Sequence, residues 1–448
     1  MNIDEIKVFL NKLINAGLDE GFEQAEGVFE YNTGMAVNIF EHEVSSFENN
    51  VGQSAVFCGK LDKQMGSAST SIIEDASINY LVKEAMDNIK VKDDEDEDFF
   101  YCDKDNSNLY YDGYSEASSK NNYDSFKRVG LELESAILAS DERIKSVDYL
   151  EISYSKDARV SVNTLGLTSV REYDSISVCA EAKCEQDGVV KTGAYLWFGN
   201  DIDKFDINTF VDEIKKRTVN KLGADSVESG VYDVILSQEA FVSLFSAYSG
   251  SLSAYSIQKK LSLFKDKVND KVASSKLTVT EYPNYDKALL KFPFDYDGVI
   301  TCDKDLIRDG VFKTPLHNLK TAYKEGVKPT GNHFSGIEYS NLVLNPGEKS
   351  FDELVRSVGN GLYITDLNGL HAGINAISGD FSLFCEGFLI KDGSIVRPVE
   401  QITISGNFID LLMNITHIGS DVVNIPDGAG EFFCPSIVIS NMNIAGEA

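Results

Sequence analysis

The sequence predicts an α+β protein: helix–antiparallel sheet–helix units fill the N-terminal half, and antiparallel sheets fill a β-rich C-terminal half. Three observations lead there. An amphipathic helix, a run of alternating strands and a second helix follow one another twice before residue 229. From Gly230 onward, runs with period-two alternation outnumber helical ones. Asp392-Gly393 stands between two such runs, 381–390 and 395–404, and an Asp-Gly pair supplies the positive φ values of a tight hairpin.

Taken in order, Ile6, Phe9, Leu10, Leu13 and Ile14 fall on one helical stripe with charges between them. This reads as an amphipathic helix and not as a signal sequence. Residues 24–70 read as three or four antiparallel strands, with turns at Asn32-Thr33-Gly34, Asn49-Asn50 and 59–62. A helix over 71–90 places Ile73, Ala76, Ile78, Leu81, Ala85 and Ile89 mostly on one side. A linker follows: KDDEDED at 92–98 repels itself, and 103–122 is rich in Asp, Asn, Ser and Tyr. The first pattern then recurs, with a helix over 123–140, strands at 147–155, 158–163, 168–181 and 193–199, and a helix over 205–222. The recurrence hints at an internal duplication. A strand at 232–236 runs directly into a helix at 237–248. Further strands are expected at 277–282, 299–303, 342–345 and 436–444, besides the hairpin. Gly373, Ser378, Gly379 and Asp380 form a small-residue bend before that hairpin, and Asn407 caps a helix starting at Phe408. The expected domains are 1–110, including the acidic linker, 111–228 and 229–448.

A chain of 448 residues is too long for one ordinary core. Its net charge of −30 works against binding nucleic-acid phosphates. No stretch reads as a membrane span. The seven cysteines include no CxxC pair and read as reduced thiols of a cytoplasmic protein. The five histidines are His42, His317, His333, His371 and His417, and no two share a ligand spacing of three to five residues. No P-loop, GxGxxG, GxSxG or kinase signature is present.

One set of motifs is specific. N-x-x-SGDFS (Asn375, 378–382), G-F-L-I-x-x-G-x-I-x-x-P-V (387–399) and I-S-G-N (404–407) occur in that order. Upstream stand DG-x-F (309–312), 319–322 and 330–332. Together they resemble the TldD/PmbA family, over about residues 24–446. That family was first described as modulators of DNA gyrase and is grouped with metallopeptidases. In its metal-binding branch a strand runs into a helix carrying HExxxH. Two histidines hold zinc, the glutamate activates its water, and a cysteine near the C-terminus completes the set. Here the corresponding positions read Gln238, Glu239 and Ser243, so only the glutamate remains. The segment where the ligand cysteine would fall, 424–430, has none, and Cys434 reads as a packing residue. The chain therefore resembles the PmbA (TldE-type) branch.

The resemblance implies several things. The chain carries no metal cofactor of its own, and zinc sits in a TldD-type partner subunit. The pair acts in the cytoplasm on unfolded peptides, with a homodimer possible when the partner is absent. No nucleic acid and no membrane is involved. Glu239 is at most an orphaned base and otherwise a helix-start residue. Ser378, Gly379, Asp380 and Phe381 are candidate substrate-binding residues, holding a peptide through main-chain hydrogen bonds. Two alternatives stay open. One is a self-sufficient peptidase with a site drawn from Glu239, His333, His371 and Cys434. The other is a non-enzymatic regulator, such as a modulator of DNA gyrase.

Overall fold

The computed structural model describes residues 2–91 and 97–447. The chain divides into two compact units. One comprises 1–219 with 296–300; the other comprises 220–295 with 301–448.

Unit 1 runs α1 (Ile3–Glu20), β1 (Gln24–Phe40), β2 (Glu43–Leu61), β3 (Gln64–Thr70), α2 (Asp75–Lys90), β4 (Asn108–Gly113), α3 (Tyr123–Ala139), β5 (Ile144–Asn163), β6 (Thr168–Gln186), β7 (Val189–Gly199) and α4 (Ile207–Val219). Helix α1 begins where Asn2 accepts the Asp4 amide at 3.1 Å, and it ends at Gly21, whose φ is +111°. Its buried stripe includes Leu10 and Leu13, both fully enclosed. Each such side chain stabilises the fold by about 1.5–3 kcal/mol relative to exposure. Helix α2 packs on β3 through Gly66, where an added Cβ would lie 2.0 Å from the Ala85 carbonyl oxygen.

The order α-β-β-β-α occurs twice in this unit. The first strands of the two repeats, β1 and β5, pair antiparallel from Glu26↔Asn163 to Asn38↔Glu151. One sheet, β3-β2-β1-β5-β6, thus runs through both repeats, with β4 and β7 on the far side of β6. Residues 1–219, which span the expected domain 1–110 and most of 111–228, lie in one compact unit.

Several expectations are corrected here. The supposed turns at Asn32–Gly34 and Asn49-Asn50 lie in mid-strand and face each other, Gly34 opposite Asn50. The chain reverses instead at Glu41-His42, both with positive φ. Asn32 is absorbed because β5 satisfies its amide, which donates to Ser155 Oγ at 3.2 Å and Asp157 Oδ1 at 2.7 Å. The break expected at 156–157 is absent from the continuous β5. The linker 103–122 contains β4, paired in parallel with β6. Of the acidic block, 92–96 lies outside the described residues; Glu97 pairs with Lys60 at 2.9 Å.

Unit 2 runs β8 (Gly230–Leu236), α5 (Gln238–Ala247), α6 (Ala254–Gln258), β9 (Val279–Glu281), β10 (Lys304–Arg308), β11 (Val311–Phe312), α7 (Leu319–Glu325), β12 (Leu342–Leu344), α8 (Phe351–Val358), β13 (Gly361–Asn368), β14 (Asp380–Lys391), β15 (Ser394–Asn407), α9 (Phe408–Met413), β16 (Ile415–Ile418), β17 (Val423–Asp427), β18 (Gly430–Cys434) and β19 (Ile437–Ala445). The strand expected at 299–303 is irregular, and β10 starts just after it. One sheet has the order β11-β10-β9-β12-β18-β17. The other has the order β15-β14-β13-β8-β19-β16, and β15 also pairs with β19, closing five of its strands into a ring. Antiparallel pairing dominates, with parallel contacts at β8–β13 and β12–β18. Asp392 and Gly393, at φ +51° and +72°, turn the β14–β15 hairpin as their sequence demands. Among the described residues no helix is long and apolar enough to cross a membrane.

Candidate functional site

The strand-to-helix junction forms where expected. Ser237 follows β8 and caps α5, its hydroxyl accepting the Ala240 amide at 3.1 Å. Ala240, Phe241, Val242, Leu244 and Phe245 turn into the core. That leaves Gln238 and Glu239 half-buried and Ser243 exposed. The Gln238 amide donates to the Asp421 carbonyl at 2.7 Å and to its carboxylate at 2.9 Å. The same carboxylate accepts the Ser436 hydroxyl at 2.7 Å.

Two turns further along α5, the Ser246 hydroxyl donates to Asp427 at 2.7 Å. Asp427 also accepts the Tyr339 hydroxyl. Burial pushes the Asp427 carboxyl and the Tyr339 phenol upward from their ordinary values. The segment 421–427 therefore lies along α5, and it presents carboxylates that are already engaged by an amide and three hydroxyls.

The other candidates are not gathered there. Cys434 is fully buried, its thiol donating to the Pro435 carbonyl at 3.3 Å, and burial raises its pKa well above the ordinary value. His371 is exposed, and the His333 amide donates to Asp295 at 3.1 Å. Among the described residues no group of three or more His, Cys, Asp and Glu side chains could hold a metal ion.

The SGDFS stretch forms a closed knot. Asn375 accepts the Ile377 and Ser378 amides at 3.0 and 3.1 Å, and the Gly379 amide donates to the Asn375 carbonyl at 2.8 Å. Gly379 needs its φ of +86° to make this turn. Asn407 ties the knot to α9: its amide donates to the Ser378 carbonyl and to Asp380, and its oxygen accepts the Ile409 amide. Hydrogen bonds from Asn407 and Ser378 hold the Asp380 carboxyl below its ordinary pKa. The Tyr248 hydroxyl is shared between the Gly379 and Asp380 carbonyls, and its ring stacks on Phe408 at 4.4 Å. Phe381 is a core residue.

Strand addition at 378–382 meets an obstacle. The Asp380–Ser382 backbone pairs with β15 on one side, while the Asp380 carbonyl and the Ser382 amide bond Asn375 and Gly373 on the other. Ser378, Gly379, Asp380 and Phe381 thus shape the support beneath α9 and do not offer a free strand edge.

The 330–332 motif ends in a buried network. The Asn332 amide and the Ser340 amide and hydroxyl all donate to Glu281, which is fully enclosed and paired with Lys304 at 2.8 Å.

Residues 229–446 match the profile of the PmbA/TldA metallopeptidase C-terminal domain. The chain is 27% identical over 434 residues to Metalloprotease PmbA of Escherichia coli O157:H7, covering 94% of this chain and 92% of that one. The chain belongs to the PmbA/TldD family. The crystal structure of a proposed modulator of a DNA gyrase from Thermotoga maritima superposes with a TM-score of 0.89 and 29% identity, covering 98% of this chain and all of the other. TldE from Thermococcus kodakarensis shares the fold, with a TM-score of 0.88 and 20% identity over 98% of this chain and all of that one. As a PmbA/TldD protein the chain keeps the signature residues together around α9. The partners of α5, Asp421 and Asp427, and Tyr339 behind Asp427 carried no sequence signal, because their meaning lies in contacts between residues far apart in the chain.

Proposed function

We propose that this chain is the TldE-type subunit of a two-subunit, cytoplasmic TldD/TldE peptidase that cuts unfolded peptides, with zinc held by the TldD-type partner. The observation that carries this reading is the donor set at the α5 junction. Zinc in such an enzyme wants two neutral imidazoles and a thiolate or a third strong donor. The positions here offer a half-buried amide already bonded to Asp421, one carboxylate and an exposed hydroxyl. The neighbouring carboxylates, Asp421 and Asp427, are engaged by Gln238, Ser436, Ser246 and Tyr339. These residues do not fit a resident zinc. Its own contribution is to complete a substrate channel and to help hold an extended peptide, with self-association when the partner is absent.

The test is elemental analysis of the purified chain, alone and after zinc loading and dialysis, followed by a peptide-cleavage assay with and without a TldD-type chain. The expected result is no stoichiometric zinc and cleavage only with the partner. One zinc per chain, or cleavage by the chain alone, overturns the reading.

A further inference from the structure

Unit 1 contains a cavity of about 410 Å³ over the middle of its sheet, where the two repeats meet. Strand register decides what lines it. Glu30, Arg159 and Arg171 stand directly opposite one another across β1, β5 and β6. Asn32, Asp157 and Tyr173 form the next row but one on the same face. Tyr296 forms a wall, its ring lying 4.2 Å from the Arg159 guanidinium carbon.

Two arginines as direct cross-strand neighbours repel each other, and such pairs lower sheet stability. One of them, Arg171, is 5% exposed, and burial draws its pKa down. Both guanidiniums lie against aromatic faces, Arg159 on Tyr296 and Arg171 on Tyr173 at 5.2 Å. Stacking uses the flat face of a guanidinium and leaves its N–H edge for hydrogen bonds. Arg159 already holds a carboxylate at that edge, since Glu30 pairs with it. Glu30 is half exposed, so it can swing to solvent when another carboxylate arrives. The remaining acid facing the cavity, Asp157, is occupied by the Asn32 amide and the Ser155 hydroxyl. The volume lies within the range of small-ligand sites and exceeds the needs of a carboxylate alone.

We infer that this cavity binds a carboxylate carried by an extended peptide, with Arg159 and Arg171 as the receiving groups and Glu30 as an internal occupant that is displaced. The peptide as carrier rests on the functional reading above; the carboxylate preference rests on the cavity.

The test uses the purified full chain and isothermal titration with three probes: an N-acetylated apolar hexapeptide with a free C-terminal carboxylate, its C-terminal amide, and that amide with one internal Glu. The free acid is expected to bind at least about tenfold more tightly than the plain amide. The Glu-bearing amide separates the sources. Binding like the acid means that side-chain carboxylates are accepted; binding like the plain amide means that only the terminus is. Arg159→Gln should abolish the preference. Glu30→Gln should strengthen binding of the acid several-fold by removing the internal competitor, a change that a merely structural ion pair would not produce. Both side chains are partly exposed, so these variants should fold, which circular dichroism checks. Equal binding of acid and amide, or a preference that survives Arg159→Gln, overturns the inference. Cleavage with a TldD-type partner is measured in parallel. Normal cleavage with equal binding sinks the cavity alone, whereas absent cleavage sinks the peptidase reading.

Discussion

Replacing Gln238 by alanine probes what became of the junction where a zinc-binding relative would carry its first histidine. The side chain makes two hydrogen bonds, at 2.7 Å to the Asp421 carbonyl and at 2.9 Å to its carboxylate. The first contributes about 0.5–1.5 kcal/mol and the second, to a charged group, about 1.5–3 kcal/mol. Gln238 is half-buried, so water replaces part of the loss and the lower ends apply. The expected destabilisation is about 2 kcal/mol. For a unit of this size that lowers Tm by roughly 4–8 °C. Differential scanning calorimetry of the full chain reads the shift, and elemental analysis of the same samples reads the metal. Gln238→Glu extends the test by setting a second carboxylate against Asp421. Two acids at that distance raise the pKa of the pair above the unfolded value, so this variant is least stable at neutral pH and regains stability as pH falls. An unchanged Tm in Gln238→Ala would show that the Asp421 clamp does not hold α5. A fall in bound zinc would show that Gln238 is a ligand, and the reasoning would fail at its first step.

Three further outcomes are expected. Lys304→Met leaves the enclosed Glu281 carboxylate without its counter-charge and should cost about 3–5 kcal/mol in urea unfolding; adding Glu281→Gln should recover much of it, and a loss under about 1 kcal/mol would refute the pairing. His317 is buried, and desolvation, opposed by Glu325, holds its pKa below 6.5. The folded state then binds fewer protons than the unfolded one, so stability drops as pH falls from about 6.5 through the folded pKa. His317→Gln should flatten that limb of the Tm–pH curve, and an unchanged slope would exclude His317 as its source. Native alkylation at about pH 8 should mark the exposed Cys302 and spare Cys385, whose thiol burial pushes up to about 12, and the fully buried Cys434; peptide mapping by mass spectrometry finds either pattern.

Elements whose causes are local are legible in the sequence. The Asp392-Gly393 turn, the Asn407 cap and the stripe of Leu10 and Leu13 each need only neighbours within a few residues. Also legible there are the family signature and the absence of histidine at 238 and 243. Tertiary structure decided the rest. Asn32 looks like a turn residue until β5 supplies acceptors for its amide. The polar stretch holding β4 becomes a strand because β6 offers it a partner. The SGDFS residues look like an open edge in sequence, yet pairing with β15 and the bonds to Gly373 and Asn375 use their backbone groups. Glu30, Arg159 and Arg171 are unremarkable when far apart in the chain; register alone sets them side by side. A hydrogen bond or a charge pair between distant residues exists only once the sheet has fixed which strands are neighbours, and that choice is made by the whole core.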